Sequence, residues 1–433
     1  MLVVAYYFPP MGLSGVQRVA KFVKYLPRHG WRPTVLTVDP GGYFAFDSSL
    51  LAELRDSGVD VHRTYSLDPT RLFGKKKTVA LPSETRRRRL SSVSQFFFVP
   101  DNKIGWAWPA IRAGRRLLSS KKFDAVLSSA PPYTGHLIAR SLSRHAGLPL
   151  VLDFRDDWLG NPRHVYPTKL HRRLHEALEA GVLRSASAIV TINECIADAL
   201  AGRVSARGGD APVHVIPQGF DPQDFTVEPE RRAPGKMRLL HAGIFYDRQT
   251  PDVFLKALAA LVARREDVRG HVEAAFVGLV PESSLALADR LGLSGCVRHV
   301  GYVPHREVPS YLLSADALWM TIGSAPGSSC ISTGKLFEYF GARKPILGLV
   351  PPGAAQEALE KYRAAVVAPP DDIEQAGTAL EALFDLWRAG SLPAPDEEFV
   401  QGFDRERLAG RLAEVLRQVT DTDSARCFVR KES

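Results

Sequence analysis

The sequence predicts an α/β protein of two parallel-sheet domains that face each other across a cleft. Three observations carry this prediction. The chain has 433 residues, more than one hydrophobic core of ~250–300 residues accommodates. Apolar strand, turn and amphipathic helix alternate along it, and the strands are continuous apolar runs, the mark of a parallel sheet covered by helices on both faces. The alternation then stops over residues 221–236, DPQDFTVEPERRAPGK, a polar stretch with Pro and Gly and no apolar period, before it restarts.

The first domain, 1–220, opens with the strand LVVAYYF, a glycine-containing loop and the stretch VQRVAKFVKYLPRHG. Val16, Val19, Val23 and Leu26 recur there at three- and four-residue spacing, which predicts a helix. RPTVLTV, FDAVLSSA, LPLVLDF, ASAIVTI and PVHVIP are the further strands, with helices between them. After the linker, the second domain, 237–402, offers MRLLHAG, a helix from Pro251 to Arg264, then HVEAAFVG, VRHVGYV, ALWMTIG and KPILGLV. A last helix is expected over 403–420 and a tail over 421–433. No internal repeat is visible.

Hydrophobic residues at 45% and charged residues at 24% exclude a mainly disordered chain and a collagen-like fibre. The four cysteines, Cys195, Cys296, Cys330 and Cys427, show no CxxC spacing, which points to a reducing compartment and no zinc site. No run approaches the ~18 apolar residues of a membrane span. The start, MLVVAYYFPP, lacks a basic leader region and reads as a strand, so a cytoplasmic address is expected. The net charge of +9 is concentrated: the window 71–90 holds eight Lys or Arg against one Glu, which favours one local anionic partner over a nucleic-acid-binding coat. This window lies in an excursion, about Leu67 to Trp108, that interrupts the first domain.

Ligands of parallel α/β sheets sit at the carboxyl ends of the strands. In the second domain RLLHAG ends in Gly243, and Arg248 follows in the loop, either as a phosphate clamp or as a solvated arginine. The stretch GSAPGSSCISTGKLFEYFGARKPIL runs a Gly/Ser/Thr loop onto a helix starting near Thr333, an anion site in the making. Lys335 in its first turn is disfavoured by the macrodipole unless it faces a phosphate. Glu338, one turn on, either receives ribose hydroxyls or pairs with Lys335 on the surface.

In the first domain the loop PPMGLSGVQR supplies Gly12 and Gly15, which allow close backbone approach, although the pattern is neither GxGxxG nor a P-loop. LPLVLDF runs into RDDWLGNP, crowding Asp153, Arg155, Asp156 and Asp157 at a strand end. Consecutive strand residues point to opposite faces, which argues against a metal there. These residues position an acceptor hydroxyl or form an internal Asp–Arg pair. SSAPPYTGH places Tyr133, Thr134 and His136 nearby, with His136 either a general base or a packing residue.

The stretches YYFPPMGLSGVQRVAKFVKYLPRHGW, PDNKIGWAWPAI, LSSAPPYTGHLIA, LDFRDDW, VTIN, VIPQGFD, HAGIFY, GYVPHREVPSYLLSADAL and GKLFEYFGARKPIL, in that order, resemble the GT-B glycosyltransferases, and family 4-like sugar transferases in particular. The resemblance covers nearly the whole chain. It implies two Rossmann-like domains, metal-independent transfer of a sugar from a nucleotide donor (a UDP- or GDP-sugar, with no cofactor besides), and a last helix that crosses back to the N-terminal domain. By this likeness Arg248 and Lys335 neutralise the donor diphosphate, and Glu338 is the ribose-binding second Glu of an E-x7-E motif. Cys330 stands where the first Glu belongs, leaving Gly327, Ser328 and Ser329 as backbone donors. Gly12 and Gly15 match the loop that approaches the donor phosphate. Arg155 and Asp156 stand where the family has a His, so Tyr133, His136, Arg155 and Asp156 mark the acceptor region, with Asp156 its catalytic candidate. Retention of anomeric configuration is expected.

Lys75, Lys76, Lys77 and Arg86, Arg87, Arg88 and Arg89, followed by Phe97, Trp106 and other aromatics, suggest a contact with an anionic membrane surface that carries a polyprenol-linked or other glycan acceptor. The alternative is a solvated basic loop beside core aromatics. A nucleotide-sugar 2-epimerase and a non-catalytic scaffold of the same fold are the competing functions. RNA binding is disfavoured because the clusters sit off any nucleic-acid module.

Overall fold

A computed structural model describes residues 1–12, 14–41, 46–47, 49–72, 93–161, 164–232, 234–245 and 249–429. The chain forms two compact units: Met1–Pro217 with Arg405–Ser433, and Gln218–Asp404.

The first unit is built on seven parallel strands: β1 Leu2–Val4, β2 Thr34–Val38, β3 Asp60–Thr64, β4 Val126–Ala130, β5 Leu150–Phe154, β6 Ala188–Thr191 and β7 Val213–Val215, in the order β3-β2-β1-β4-β5-β6-β7. Val3 of β1 lies opposite Val35 on one side and Leu127 on the other. β1, β2, β4, β5 and β6 are wholly buried, which is why their sequences read as continuous apolar runs. The edge strand β3, DVHRT, is only partly buried and carries no such run, so the sequence pattern does not announce it. The strand order reverses between β1 and β4, opening a crevice at their carboxyl ends.

The last helix, Arg405–Val429, is part of this unit. Its Leu408, Leu412 and Leu416 are buried in the same core as Val3, Val23 and Trp31, and Trp31 Nε1 donates to Ala413 O at 3.3 Å. The helix therefore continues through most of the stretch read as a tail.

The second unit has six parallel strands: β8 Met237–Ala242, β9 Val272–Val277, β10 Val297–Gly301, β11 Ala317–Thr321, β12 Ile346–Leu349 and β13 Ala365–Ala368, ordered β10-β9-β8-β11-β12-β13. Alternate residues feed opposite faces. Leu239 and Trp319 enter one core with Phe254 and Phe276, while Leu240 and Leu318 enter the other with Phe337 and Phe340. Trp319 stacks on Phe254 with ring centroids 3.9 Å apart. The crevice here lies between β8 and β11. The polar stretch 221–236 belongs to this unit: Arg232 grips Asp316 through two bonds of 2.6 and 2.7 Å, and Glu230 accepts from Arg298 at 2.8 Å and from the buried Arg238.

The two ends of the excursion are fastened together. Leu67 N donates to Gly105 O at 3.2 Å, and a Cβ on Gly105 would lie 2.6 Å from the Leu67 carbonyl carbon. Tyr6 Oη donates to the buried Asp68 at 2.5 Å, and Lys103 reaches the same carboxylate at 3.4 Å. Trp106 corrects the expectation of a membrane contact: it is fully buried and its Nε1 donates to Thr64 Oγ1 at 2.8 Å. Phe97 is 71% exposed, as are Phe96 at 50% and Trp108 at 60%. Lys75, Lys76, Lys77 and Arg86 to Arg89 lie outside the described residues. Among the described residues no helix is long and apolar enough to cross a membrane.

Candidate functional site

The carboxyl ends of β8 and β9 meet through glycines. Gly243 follows β8 with φ 132°, and Gly278 follows β9 with φ 126°. Backbone of this kind strongly favours glycine. A Cβ on Gly278 would lie 2.0 Å from Gly243 O, and a Cβ on Gly243 would lie 2.2 Å from Lys335 Cε. The bare backbone at 243 is thus the space that the Lys335 side chain fills.

Lys335 stands in the first turn of the helix Gly334–Ala342. Its Nζ donates to Ile244 O at 3.0 Å and to His241 Nε2 at 3.3 Å, and lies 5.6 Å from the centre of the Phe245 ring. Burial lowers its pKa from 10.5 to about 8, opposed by the nearby Glu338. His241 is buried, stacked on Phe245 at 4.2 Å, and bonded through Nδ1 to Trp319 O at 3.1 Å. Burial and the Lys335 charge hold its pKa well below 6.5. His241 is therefore neutral, with Nδ1 the donor and Nε2 the acceptor for the ammonium. Tyr339, one turn along, locks the helix to the strand ends: its Oη accepts from Ala242 N at 2.9 Å and donates to Trp319 O at 3.2 Å.

The loop before this helix is held from both sides. Ser328 Oγ donates to Gly323 O at 2.8 Å and accepts from Ala325 N at 3.0 Å. A Cβ on Gly353 would lie 2.3 Å from Ser329 O. Thr333 occupies the N-cap position in extended conformation, yet its side chain makes no capping bond and its buried Oγ1 has no hydrogen-bond partner. One helix N-terminus thus carries an unsatisfied hydroxyl at its N-cap and, in its first turn, a lysine that reaches Ile244 O and His241 Nε2. That arrangement suits a phosphate-bearing anion. Glu338 Oε1 meets His305 Nε2 at 3.1 Å. Arg248 lies outside the described residues.

In the first unit the crevice residues mostly turn inward. Arg155 is 7% exposed and spends its guanidinium on the carbonyls of Gly15, Pro131 and, at 3.3 Å, Ala130, so it clamps the loops after β1 and β4. A Cβ on Gly15 would lie 3.1 Å from Arg155 Nη1, which explains the glycine; Gly12 is buried in the same loop. Asp153 pairs not with Arg155 but with Arg18, at 2.8 Å, and accepts from Ser129 at 2.7 Å. His136 is fully buried, bonded through Nδ1 to Ser128 Oγ at 2.6 Å, and burial lowers its pKa to about 3. It is placed as a packing residue rather than a base at the crevice. Tyr133 is stacked on Trp158 at 4.4 Å and donates to Asp157 O at 3.2 Å. Asp157 pairs with Arg203. Asp156 differs from these neighbours: it is partly exposed, and its carboxylate makes no hydrogen bond or ion pair among the described residues.

Sequence reasoning passed over His241, Phe245, His305 and the Thr333 hydroxyl. HAGIFY and GYVPHREVP hold three of them at strand ends, and that position was the available signal.

Residues 15–219 match the glycosyl transferase 4-like domain family, and residues 236–385 match the glycosyl transferases group 1 family. No curated protein matches the chain by sequence. The fold is similar to that of Anabaena HepE crystallised with UDP, at 16% identity and a TM-score of 0.60 over 96% of this chain and 99% of that one. A glycosyltransferase from Rickettsia africae is similar at 12% identity and a TM-score of 0.61, over 96% and 98%. Sucrose-phosphate synthase from Thermosynechococcus elongatus is similar at 12% and 0.61, over 97% and 99%.

Proposed function

Because the chain belongs to the GT-B glycosyltransferases, with a glycosyl transferase 4-like domain followed by a group 1 domain, we propose that it moves a hexosyl group from a UDP-sugar to a glycan or polyprenol-linked acceptor. The product is a surface polysaccharide or glycoconjugate, and anomeric configuration is retained. The observation that carries the donor half is Lys335, whose ammonium reaches Ile244 O and His241 Nε2 from the first turn of the helix that the unsatisfied Thr333 hydroxyl opens. Uridine is favoured over guanosine because HepE, of similar fold, is crystallised with UDP and with UDP-glucose.

Breaking the bond between the anomeric carbon and the phosphate oxygen leaves negative charge on the diphosphate and positive charge on the sugar. Lys335, the Thr333 hydroxyl, the amides that open its helix, and Arg248 stabilise the departing diphosphate, and they do so without a metal ion. Glu338 receives the ribose hydroxyls, and His305 orients its carboxylate. The acceptor hydroxyl attacks from the face the diphosphate leaves, passing its proton to the departing phosphate oxygen. Asp156 holds that hydroxyl in place. Calorimetric titration with UDP and GDP tests the reading. UDP is expected to bind and Lys335→Ala to lose it. Binding of neither nucleotide removes the donor site, and binding without transfer to any acceptor makes the protein a scaffold, for which Cys330 in place of an acidic residue is the argument.

The acceptor reaches the protein on an anionic bilayer. A short helix over 93–97 rests on the helix Lys169–Leu183, with Phe96 against His171 at 5.2 Å and Gln95 Oε1 accepting from Val165 N at 2.6 Å. Val93, Phe97, Val165 and Leu170 are each more than half exposed there. Lys169, Arg172 and Arg173 are exposed beside them, and the basic window 71–90 adjoins in sequence. Apolar insertion ringed by cations is the pattern of interfacial binding. Flotation with phosphatidylglycerol vesicles, lost in Phe97→Asp and Leu170→Asp, is the expected result. No flotation at low salt refutes it.

A further inference from the structure

We propose that the first unit carries a second anion site, on the face formed by the helices Ala107–Ser120 and Thr134–Ala146, which takes a multiply charged phosphate group. A pocket of about 460 Å³ is lined there by Arg115, Leu137, Arg140, Ser141, Arg144 and His145. None of the three arginines forms an ion pair with a carboxylate among the described residues. The partly buried Arg140 thus differs from Arg18, Arg203, Arg232 and Arg238, which each face one, and from the buried Arg155, which answers three carbonyls.

Arg140 is built into the site. Its Nε donates to Ser185 Oγ at 3.2 Å, and Ser185 Oγ in turn donates to Gly181 O at 3.0 Å. A Cβ at position 181 would lie 2.7 Å from Arg140 Nη1, so the glycine on the neighbouring helix makes room for the guanidinium. Burial and the charges of Arg144 and Arg184 lower the pKa of Arg140. The favourable dipole at a helix C-terminus accounts for Arg144 and His145, which sit in the last turn of Thr134–Ala146. It does not account for Arg115, which comes from mid-helix on another element, or for Arg140 a turn earlier.

The position separates this pocket from the crevice. The helix Thr134–Ala146 begins at the carboxyl end of β4 and has 13 residues, so its far end lies roughly 20 Å away, at the opposite margin of the sheet. Three guanidiniums that converge without a carboxylate match the several oxygens of a diphosphate or of a phosphorylated headgroup. Two sources supply that chemistry: a soluble phosphorylated molecule, or the headgroup of an anionic lipid.

The test uses the full-length protein carrying Lys335→Ala, so that the proposed donor site does not contribute and failure there is not confused with failure here. It is titrated with inorganic pyrophosphate by calorimetry at low salt, and floated with phosphatidylglycerol vesicles. The same is done after adding Arg115→Gln, Arg140→Gln or Arg144→Gln; the first and last are exposed and leave folding intact. Each substitution is expected to weaken binding about tenfold, the effect of one charge-assisted hydrogen bond. Loss confined to pyrophosphate identifies a soluble source, and loss confined to vesicles a headgroup. Binding of neither probe, or no loss of binding to either probe in any of the three variants, overturns the proposal.

Discussion

Replacing Lys335 by methionine is expected to stabilise the nucleotide-free protein while abolishing its response to nucleotide. Held at about 8 where an ordinary lysine titrates at 10.5, the folded-state ammonium costs about 3 kcal/mol at neutral pH. Methionine keeps the apolar stem that fills the space over Gly243 and removes the charge. It also removes the bonds to Ile244 O and His241 Nε2, and each unmet acceptor costs about 1 kcal/mol. The balance is a gain of about 1 kcal/mol, or about 2–4 °C in Tm for a unit of this size. The pH dependence carries the sign. Below pH 8 folded and unfolded chains both hold the lysine proton, and the full cost is present. Between pH 8 and 10.5 the unfolded chain holds a proton that the folded chain has released, so wild-type stability rises and the gap to the variant closes. Thermal unfolding of both proteins from pH 7 to 10, with and without UDP, reads all of this. A variant less stable than wild type at pH 7, or one that keeps its UDP-induced shift, refutes the reasoning.

Three further outcomes follow from the same geometry. Gly243→Ala pushes a methyl group to 2.2 Å from Lys335 Cε at a backbone φ of 132°, so UDP affinity falls at least about tenfold and Tm drops; an unchanged titration contradicts the close approach. Glu338→Gln weakens UDP about tenfold, as expected for a hydrogen bond to a charged group, but leaves inorganic pyrophosphate binding unchanged, because the carboxylate serves the ribose; equal loss of both assigns it elsewhere. Arg18→Ala strands the buried Asp153 carboxylate and costs about 3–5 kcal/mol, measured by denaturant unfolding; a change below 1 kcal/mol means the pair is not the support of the crevice.

The strands that carry the crevices were legible because they are buried on both faces, and a buried parallel strand has no polar alternation to hide it. β3 was not, since the partly buried edge residues Asp60–Thr64, DVHRT, carry no apolar run; β13, AVVA, carries one and was passed over. Gly243 and Lys335 are 92 residues apart, yet each stood out alone, one as a strand-ending glycine and the other as a cation at a helix N-terminus. Their mutual contact depends on how β8 and β11 pair, which no local pattern encodes. Trp106 misled because its neighbours Phe97 and Trp108 are exposed, and only the Thr64 hydroxyl, 42 residues earlier in the chain, draws it inside. Arg155 looked like a site cation, but its guanidinium answers three carbonyls on loops that composition does not place beside it.

The central claim, that the carboxyl ends of β8 and β11 hold the donor diphosphate, is tested most directly by a crystal structure of the protein grown with UDP. The β-phosphate is expected within hydrogen-bond distance of Lys335 Nζ and Thr333 Oγ1, with the ribose hydroxyls on Glu338. A nucleotide bound away from Lys335, with Thr333 Oγ1 still unpartnered, would contradict it.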